Sequence, residues 1–340
     1  SENISKHKIL SQIDNGLDKI VYIIEKGEGA DRRISDIYVF LENSTKEVSL
    51  LVYIPGSLYF EGLEESFGSS ISISSLRYAG DFLQEGRGVE YTLWQLNEIL
   101  GFKVDNYIWM TSEAYSQMEM IYGDMSALKD KDKQKYQTDT DGLLSESFFK
   151  IHSISMNYSS LKTFFNINKV SELSGSIYSN LSFTSVLRSI NKLDSTVSST
   201  TTYAMDLGSV MYSKDNLSEK GGQLRSINIT EYDKSLRNYL SKMLDKDLEK
   251  ERVRVEVYNA SGVSGKAGVY SRKILNSGCD VVRYGNAPGS GEYTQLYVSN
   301  KEDFINSFDV VSEVLLGKYQ EVSDRDRKST RLNSSHESPS

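Results

Sequence analysis

The chain has 340 residues, 38% hydrophobic and 25% charged, with a formal net charge of −8. That length fits about two domains, and the acidic balance lacks the basic footprint of a nucleic-acid binder, so no nucleic-acid partner is expected. One cysteine, Cys279, excludes an internal disulfide, and the scattered His7, His152 and His336 offer no Cys/His cluster of metal-ligand spacing.

The first predicted elements are strands. Residues 19–24 are short and β-branched, 35–41 carry Ile37, Val39 and Leu41 on one face, and 48–54 are nearly continuously apolar, as in a strand covered on both faces. Asn43-Ser44-Thr45-Lys46 is a turn signal that makes the last two a hairpin. Leu93, Leu96, Ile99 and Leu100 stand at helical spacing and predict a helix over 90–100, stopped by Gly101. Trp94 falls inside that pattern and reads as core. A strand follows over 104–110. This mixture predicts an α/β class, with a layered mixed-sheet N-terminal domain over 1–229. Within it, 128–141 is charged and reads as exposed, 159–173 is apolar without a clean period, and the Ser/Thr cluster at 195–203 reads as an edge strand or a loop.

A stripe of Tyr232, Leu236, Tyr239, Leu240, Met243, Leu244 and Leu248 predicts a linking helix in 230–251, with Thr230 as its N-cap. Val253, Val255 and Val257 alternate with charged residues as a half-buried strand does. A turn, a helix over 267–275, strands over 280–284 and 294–298 and a closing helix over 304–316 complete a small C-terminal α/β domain, 252–319. Its core, 252–317, is expected to fold alone. Residues 320–340 read as a disordered tail, and from 324 onward they are similar to translated sequencing-adapter read-through, expected to add nothing to the fold.

Residues 257–267 end a strand, turn on Asn259, Gly262 and Gly265, and begin a helix whose first N–H groups can hold an anion. A plain strand-to-helix turn accounts for the same residues. Together with Leu275-Asn276-Ser277-Gly278-Cys279-Asp280-Val281-Val282, Gly285-Asn286-Ala287 and the strand at Thr294, this run resembles the C-terminal domain of LytR-type bacterial cell-envelope proteins. The resemblance implies a place on the outer face of the cytoplasmic membrane or in the cell wall, behind a LytR-CpsA-Psr catalytic domain. It makes Asn259, Gly262 and Gly265 candidate ligand-binding residues.

Upstream segments resemble that catalytic family. Arg33-Ile34-Ser35-Asp36-Ile37-Tyr38-Val39 is similar to its Arg-Ser-Asp segment with Ile34 inserted, and Leu51-Val52-Tyr53-Ile54-Pro55-Gly56-Ser57 to its Ser-Ile-Pro-Arg-Asp segment. Residues 96–107 are similar to its next helix and strand, and Tyr178-Ser179-Asn180-Leu181-Ser182 to its Thr-Asn-Leu-Ser element. The family transfers a lipid-pyrophosphate-linked glycan to peptidoglycan, work that needs arginines on the pyrophosphate and carboxylates on Mg²⁺. The resemblance implies Asp36 and Arg33 as catalytic residues and Asp36 and Asp31 as metal ligands; Arg77 and Arg87, which match no family motif, are candidate ligand-binding residues that could stand in spatially for family arginines the sequence lacks. The partners it implies are a cell-wall glycan or a polyprenyl-pyrophosphate-linked glycan, and the membrane through an anchor ahead of Ser1.

The departures divide the functional readings. Gly56 and Ser57 stand where the family has arginine and aspartate, and residues 125–165 hold lysines but no arginine. Lysine brings charge without the planar fork that grips a phosphate in two places. One reading is a degenerate, non-catalytic wall- or glycan-binding module with no cofactor. The other is a divergent glycopolymer phosphotransferase that uses Mg²⁺. The missing arginines favour the first. The cluster Asp31, Arg32, Arg33 and Asp36 reads either as the remains of a pyrophosphate site or as a solvated loop entering a strand.

Overall fold

The computed structural model describes residues 9–11, 16–60, 71–122, 128–138, 144–158, 160–217, 223–244, 246–291, 294–298, 300–315 and 319–323. The chain divides into two compact units, Gly16–Met243 with Ser1–Leu10, and Leu244–Ser340 with Ser11–Asn15.

The first unit is built on a seven-stranded mixed sheet. Its strands are β1 (Asp18–Lys26), β2 (Arg33–Asn43), β3 (Val48–Pro55), β4 (Asn106–Met110), β5 (Tyr136–Gln137), β6 (Ile177–Ser179) and β7 (Thr201–Asp206), in the order β5-β7-β3-β2-β1-β4-β6. β2 and β3 form the expected hairpin across 44–47. β1, β3, β4 and β7 run in one direction, because β1 pairs antiparallel to β2, β2 antiparallel to β3, and the pairs β1–β4 and β3–β7 are parallel. The apolar runs in β1, β2 and β3 are buried on both faces. Each such side chain contributes about 1.5–3 kcal/mol by leaving water.

Helices cover both faces. Tyr22, Ile24, Tyr38 and Tyr53 join one core cluster with residues of α3 (Ser112–Tyr122), α5 (Lys150–Asn157), α7 (Ile167–Leu173) and α8 (Phe183–Ser199). Strand alternation turns Val21, Ile23, Ile37 and Val39 to the other face. α1 (Leu76–Leu83) and α2 (Gly88–Leu100) pack together through glycines: a Cβ on Gly80 would lie 2.5 Å from the Tyr91 Cβ. Gly101 ends α2 in the left-handed region, φ 74°. Trp94 corrects its core assignment: it is 40% exposed, and the fully buried tryptophan is Trp109 on β4.

Three other expectations change in this unit. Segment 128–141 is not simply exposed: after the short α4 (Asp130–Lys133), Tyr136 on β5 is buried and extends the main sheet. Residues 139–141 lie outside the described residues. The Ser/Thr cluster divides, with Ser199 ending α8 and β7 running between β5 and β3 rather than at an edge. Residues 160–165 and 167–173, apolar without a clean period in the sequence, are the helices α6 (Ser160–Phe165) and α7, and residue 159 lies outside the described residues.

The segment 230–251 forms two helices, α9 (Ile229–Met243) in the first unit and α10 (Lys246–Glu251) in the second. α9 begins one residue before Thr230, and Asn228 Oδ1 accepts from the Glu231 N–H at its first turn, so Asn228 is the capping side chain. Ahead of α9, β8 (Ser213–Leu217) and β9 (Gln223–Ile227) make a separate hairpin.

In the second unit, β10 (Arg254–Asn259) pairs parallel with β11 (Asp280–Asn286), and α11 (Lys266–Asn276) connects them. β12 (Gln295–Val298) pairs parallel with β13 (Gln320–Ser323) after α12 (Ile305–Val314). The disordered tail read from 320 therefore begins too early: residues 320–323 are a strand. Residues 324–340 lie outside the described residues. Gly278 has φ +104°, and a Cβ there would meet both Leu244 methyl groups at 2.8 Å, so the stop after α11 is set by backbone conformation and by packing.

Candidate functional site

The carboxyl ends of β1, β3, β4 and β7 share one edge of the sheet, the side on which open α/β sheets bind ligands. β2 starts there. Asp36 lies opposite Ile24 of β1 and Pro55 of β3, and Asp206 closes β7 opposite Tyr53.

Asp36 is buried and both of its oxygens are engaged. Its Oδ1 accepts from the Tyr53 hydroxyl at 2.9 Å, and its Oδ2 accepts from Ser35 Oγ at 2.8 Å and from Lys150 Nζ at 3.1 Å. Lys150, the first residue of α5, also lies 4.5 Å from the centre of the Tyr115 ring. Tyr53 stacks on Tyr38 at 5.1 Å. Burial first, then the Asp36 charge and hydrogen bond, pushes the Tyr53 hydroxyl far above its ordinary range, so it stays a proton donor. Asp206 accepts from the backbone N–H groups of Ser145 and Gly208.

A second pair stands at the same edge. Glu25, at 1% exposure, takes both oxygens to Arg77 Nη1 at 2.8 Å. The guanidinium lies 5.5 Å from the Trp109 ring centre and 5.3 Å from that of Tyr178. Burial lowers the Arg77 pKa while the Glu25 hydrogen bond and charge raise it, and the net shift is upward.

The expected site residues separate. Asp36 and Arg77 come to this edge, each held by a partner absent from the sequence reading. Arg33 begins β2, is exposed, donates to the Arg32 carbonyl and lies over Tyr78. Asp31 is exposed in a short 3-10 turn, Gly29–Asp31. Arg87 precedes α2 and pairs with Glu90 of that helix. Asn259, Gly262 and Gly265 belong to the second unit. There Asn259 Oδ1 accepts from Ser261 N and Oγ, and the two glycines have φ of +74° and +80° with open space beside them. Those three residues shape the turn before α11.

The donor set does not suit Mg²⁺. That ion wants oxygen ligands at about 2.0–2.1 Å in octahedral array. It is usually held by one or two carboxylates, with waters and substrate phosphates completing the shell, and the Asp36 carboxylate already accepts three hydrogen bonds, one of them from an ammonium that an incoming ion would have to displace. Gly56 explains the lost arginine physically. A Cβ there would lie 2.1 Å from the Ile34 carbonyl oxygen, and Gly56 N donates to Ser35 O at 2.9 Å. No side chain fits at this crossing of backbones. Gly56→Ala is expected to destabilise the first unit by about 2–3 kcal/mol through overpacking, measured by denaturant titration; an unchanged midpoint would refute the close crossing.

Lys150, Tyr53, Ser35 and Glu25 were missed. Three of them carried a faint signal: Glu25 as an acid ending the apolar run 20–24, Tyr53 as a tyrosine before Ile-Pro, and Lys150 as a lysine straight after Phe148-Phe149.

Residues 252–332 match the family described as LytR cell envelope-related transcriptional attenuator. The chain carries a LytR C-terminal domain. No curated protein matches the whole sequence significantly. Solved structures with distant likeness include the LytR-CPS2A-psr family protein YwtF (TagT) with bound octaprenyl pyrophosphate lipid, at 13% identity, 69% of this chain, 95% of that chain and TM-score 0.40. TagU of B. subtilis is similar at 13% identity, 67% and 98% coverage and TM-score 0.43. The protein gbs0355 from Streptococcus agalactiae is similar at 10% identity, 68% and 90% coverage and TM-score 0.45.

Proposed function

We propose that this is a cell-envelope protein, working at the outer face of the cytoplasmic membrane or in the wall, whose first unit binds a polyprenyl-pyrophosphate-linked glycan without transferring it. The LytR C-terminal domain and the resemblance around Arg33–Val39 support the envelope setting. One observation carries the non-catalytic part: the two well-placed polar centres, Asp36 and Arg77, are already neutralised by Lys150 and Glu25. A metal-binding carboxylate and a free arginine fork are what the transfer chemistry needs. Charge-assisted hydrogen bonds contribute about 1.5–3 kcal/mol each, so each one missing from the transition state lowers turnover by about one to two orders of magnitude.

The test is an in vitro transfer assay with a polyprenyl-pyrophosphate glycan and peptidoglycan acceptor, with and without Mg²⁺. The expected result is retention of the lipid-linked glycan on the protein with no product above background. Robust Mg²⁺-dependent turnover that disappears in Asp36→Ala would establish the phosphotransferase reading instead.

A further inference from the structure

The disagreement between the Asp36 surroundings and a metal ion points to a specific replacement. We infer that the Lys150 ammonium takes the place of a divalent cation beside Asp36, so that the first unit holds a pyrophosphate-bearing ligand without metal. This rests on the ligand class proposed above.

The geometry supports a cation built into the fold. Lys150 Nζ sits 3.1 Å from Asp36 Oδ2, and its side chain is 15% exposed, largely enclosed but not sealed off from solvent. It is held on three sides: by Asp36, by the face of Tyr115, and by its fixed place where the 3-10 turn Glu146–Phe149 continues into α5. An ammonium has three N–H donors. One goes to Asp36, which leaves donors for a phosphoryl oxygen. Tyr53 and Ser35 each donate to a further lone pair of Asp36, so both of its oxygens are engaged and the carboxylate orients the lysine. A monovalent ammonium does not polarise a phosphorus–oxygen bond as Mg²⁺ does, which agrees with binding that stops short of transfer.

Isothermal titration of the full chain with inorganic pyrophosphate, in EDTA and in Mg²⁺, tests this. The wild type is expected to bind in both buffers with Kd values within about threefold. Lys150→Met is expected to bind about tenfold more weakly in EDTA, the loss of one charge-assisted hydrogen bond, and to recover in Mg²⁺, because the freed Asp36 then accepts the ion. Since Lys150→Met leaves Asp36 buried without its counter-charge, the double variant Asp36→Asn/Lys150→Met serves as the neutral, folded control, weak in both buffers. Wild-type binding that requires Mg²⁺, or a Lys150→Met variant that binds like wild type in EDTA, overturns the inference alone. No pyrophosphate binding by the wild type in either buffer overturns both this and the ligand class beneath it.

Discussion

Arg77→Met should lower the melting temperature of the first unit by roughly 10 °C. Glu25 is 1% exposed, and both of its carboxylate oxygens accept from Arg77. Removing the arginine leaves a carboxylate in a place where water cannot replace the lost partner. Breaking a buried ion pair from one side costs about 3–5 kcal/mol, and for a unit of this size each kcal/mol shifts the midpoint by about 2–4 °C. The guanidinium also covers the rings of Trp109 and Tyr178, so packing is lost with the charge. The double variant Glu25→Gln/Arg77→Met separates the two terms. It has no uncompensated charge and should recover more than half of the lost stability, the remainder being the ring contacts. Melting both variants by circular dichroism checks this. An Arg77→Met midpoint within about 1 °C of wild type would show that the pair adds nothing, as is usual for exposed pairs.

The contrast between Arg77 and Arg33 shows how far residues alone can carry a site. The strands were legible because β1, β2 and β3 are runs of β-branched and aromatic residues whose burial follows from composition. The α2 stop at Gly101 and the elements of the C-terminal domain were legible for similar local reasons. Partners across the sheet were not. Asp36 and Lys150 are 114 positions apart, and Arg77 and Glu25 are 52 apart. No spacing rule links such pairs; register does, through the alignment of Asp36 with Ile24 and Pro55. Trp94 misled because helical spacing identifies a stripe without giving its width, and this tryptophan sits at the exposed margin. Tyr136 was hidden by its neighbours: Lys131, Lys133 and Lys135 make the segment look solvated, although one ring among them enters the core. Gly56 read as a loss of function, and the structure adds that a side chain there is sterically forbidden.

Glu251 gives the second unit a pH-dependent clasp, and its removal is the other large effect expected. The carboxylate of Glu251, last residue of α10, accepts from Asn306 N at 2.9 Å, Asn306 Nδ2 at 2.8 Å, Ser307 N at 2.8 Å and Ser307 Oγ. Two of these donors are otherwise unpaired N–H groups of the first turn of α12, so an acid from a distant helix does the work of an N-cap. Burial raises the Glu251 pKa, the Ser307 and Asn306 hydrogen bonds lower it, and the net shift is downward. A depressed carboxylate pKa means that the folded state holds the charged form. The stabilisation is complete above the unfolded glutamate value of about 4.3 and drains away as pH falls through the lower folded value. Glu251→Ala should cost about 2–3 kcal/mol at pH 7, and Glu251→Gln should flatten the acid limb of the stability curve. The same contact redraws the smallest folding piece. The segment 252–317 omits Glu251, the Leu244 and Leu248 packing on Gly278, and β13. A piece spanning 244–323 is therefore expected to melt cooperatively and well above 252–317. Equal melting of the two pieces, or an unchanged acid limb in Glu251→Gln, would show that α10 is dispensable to this domain.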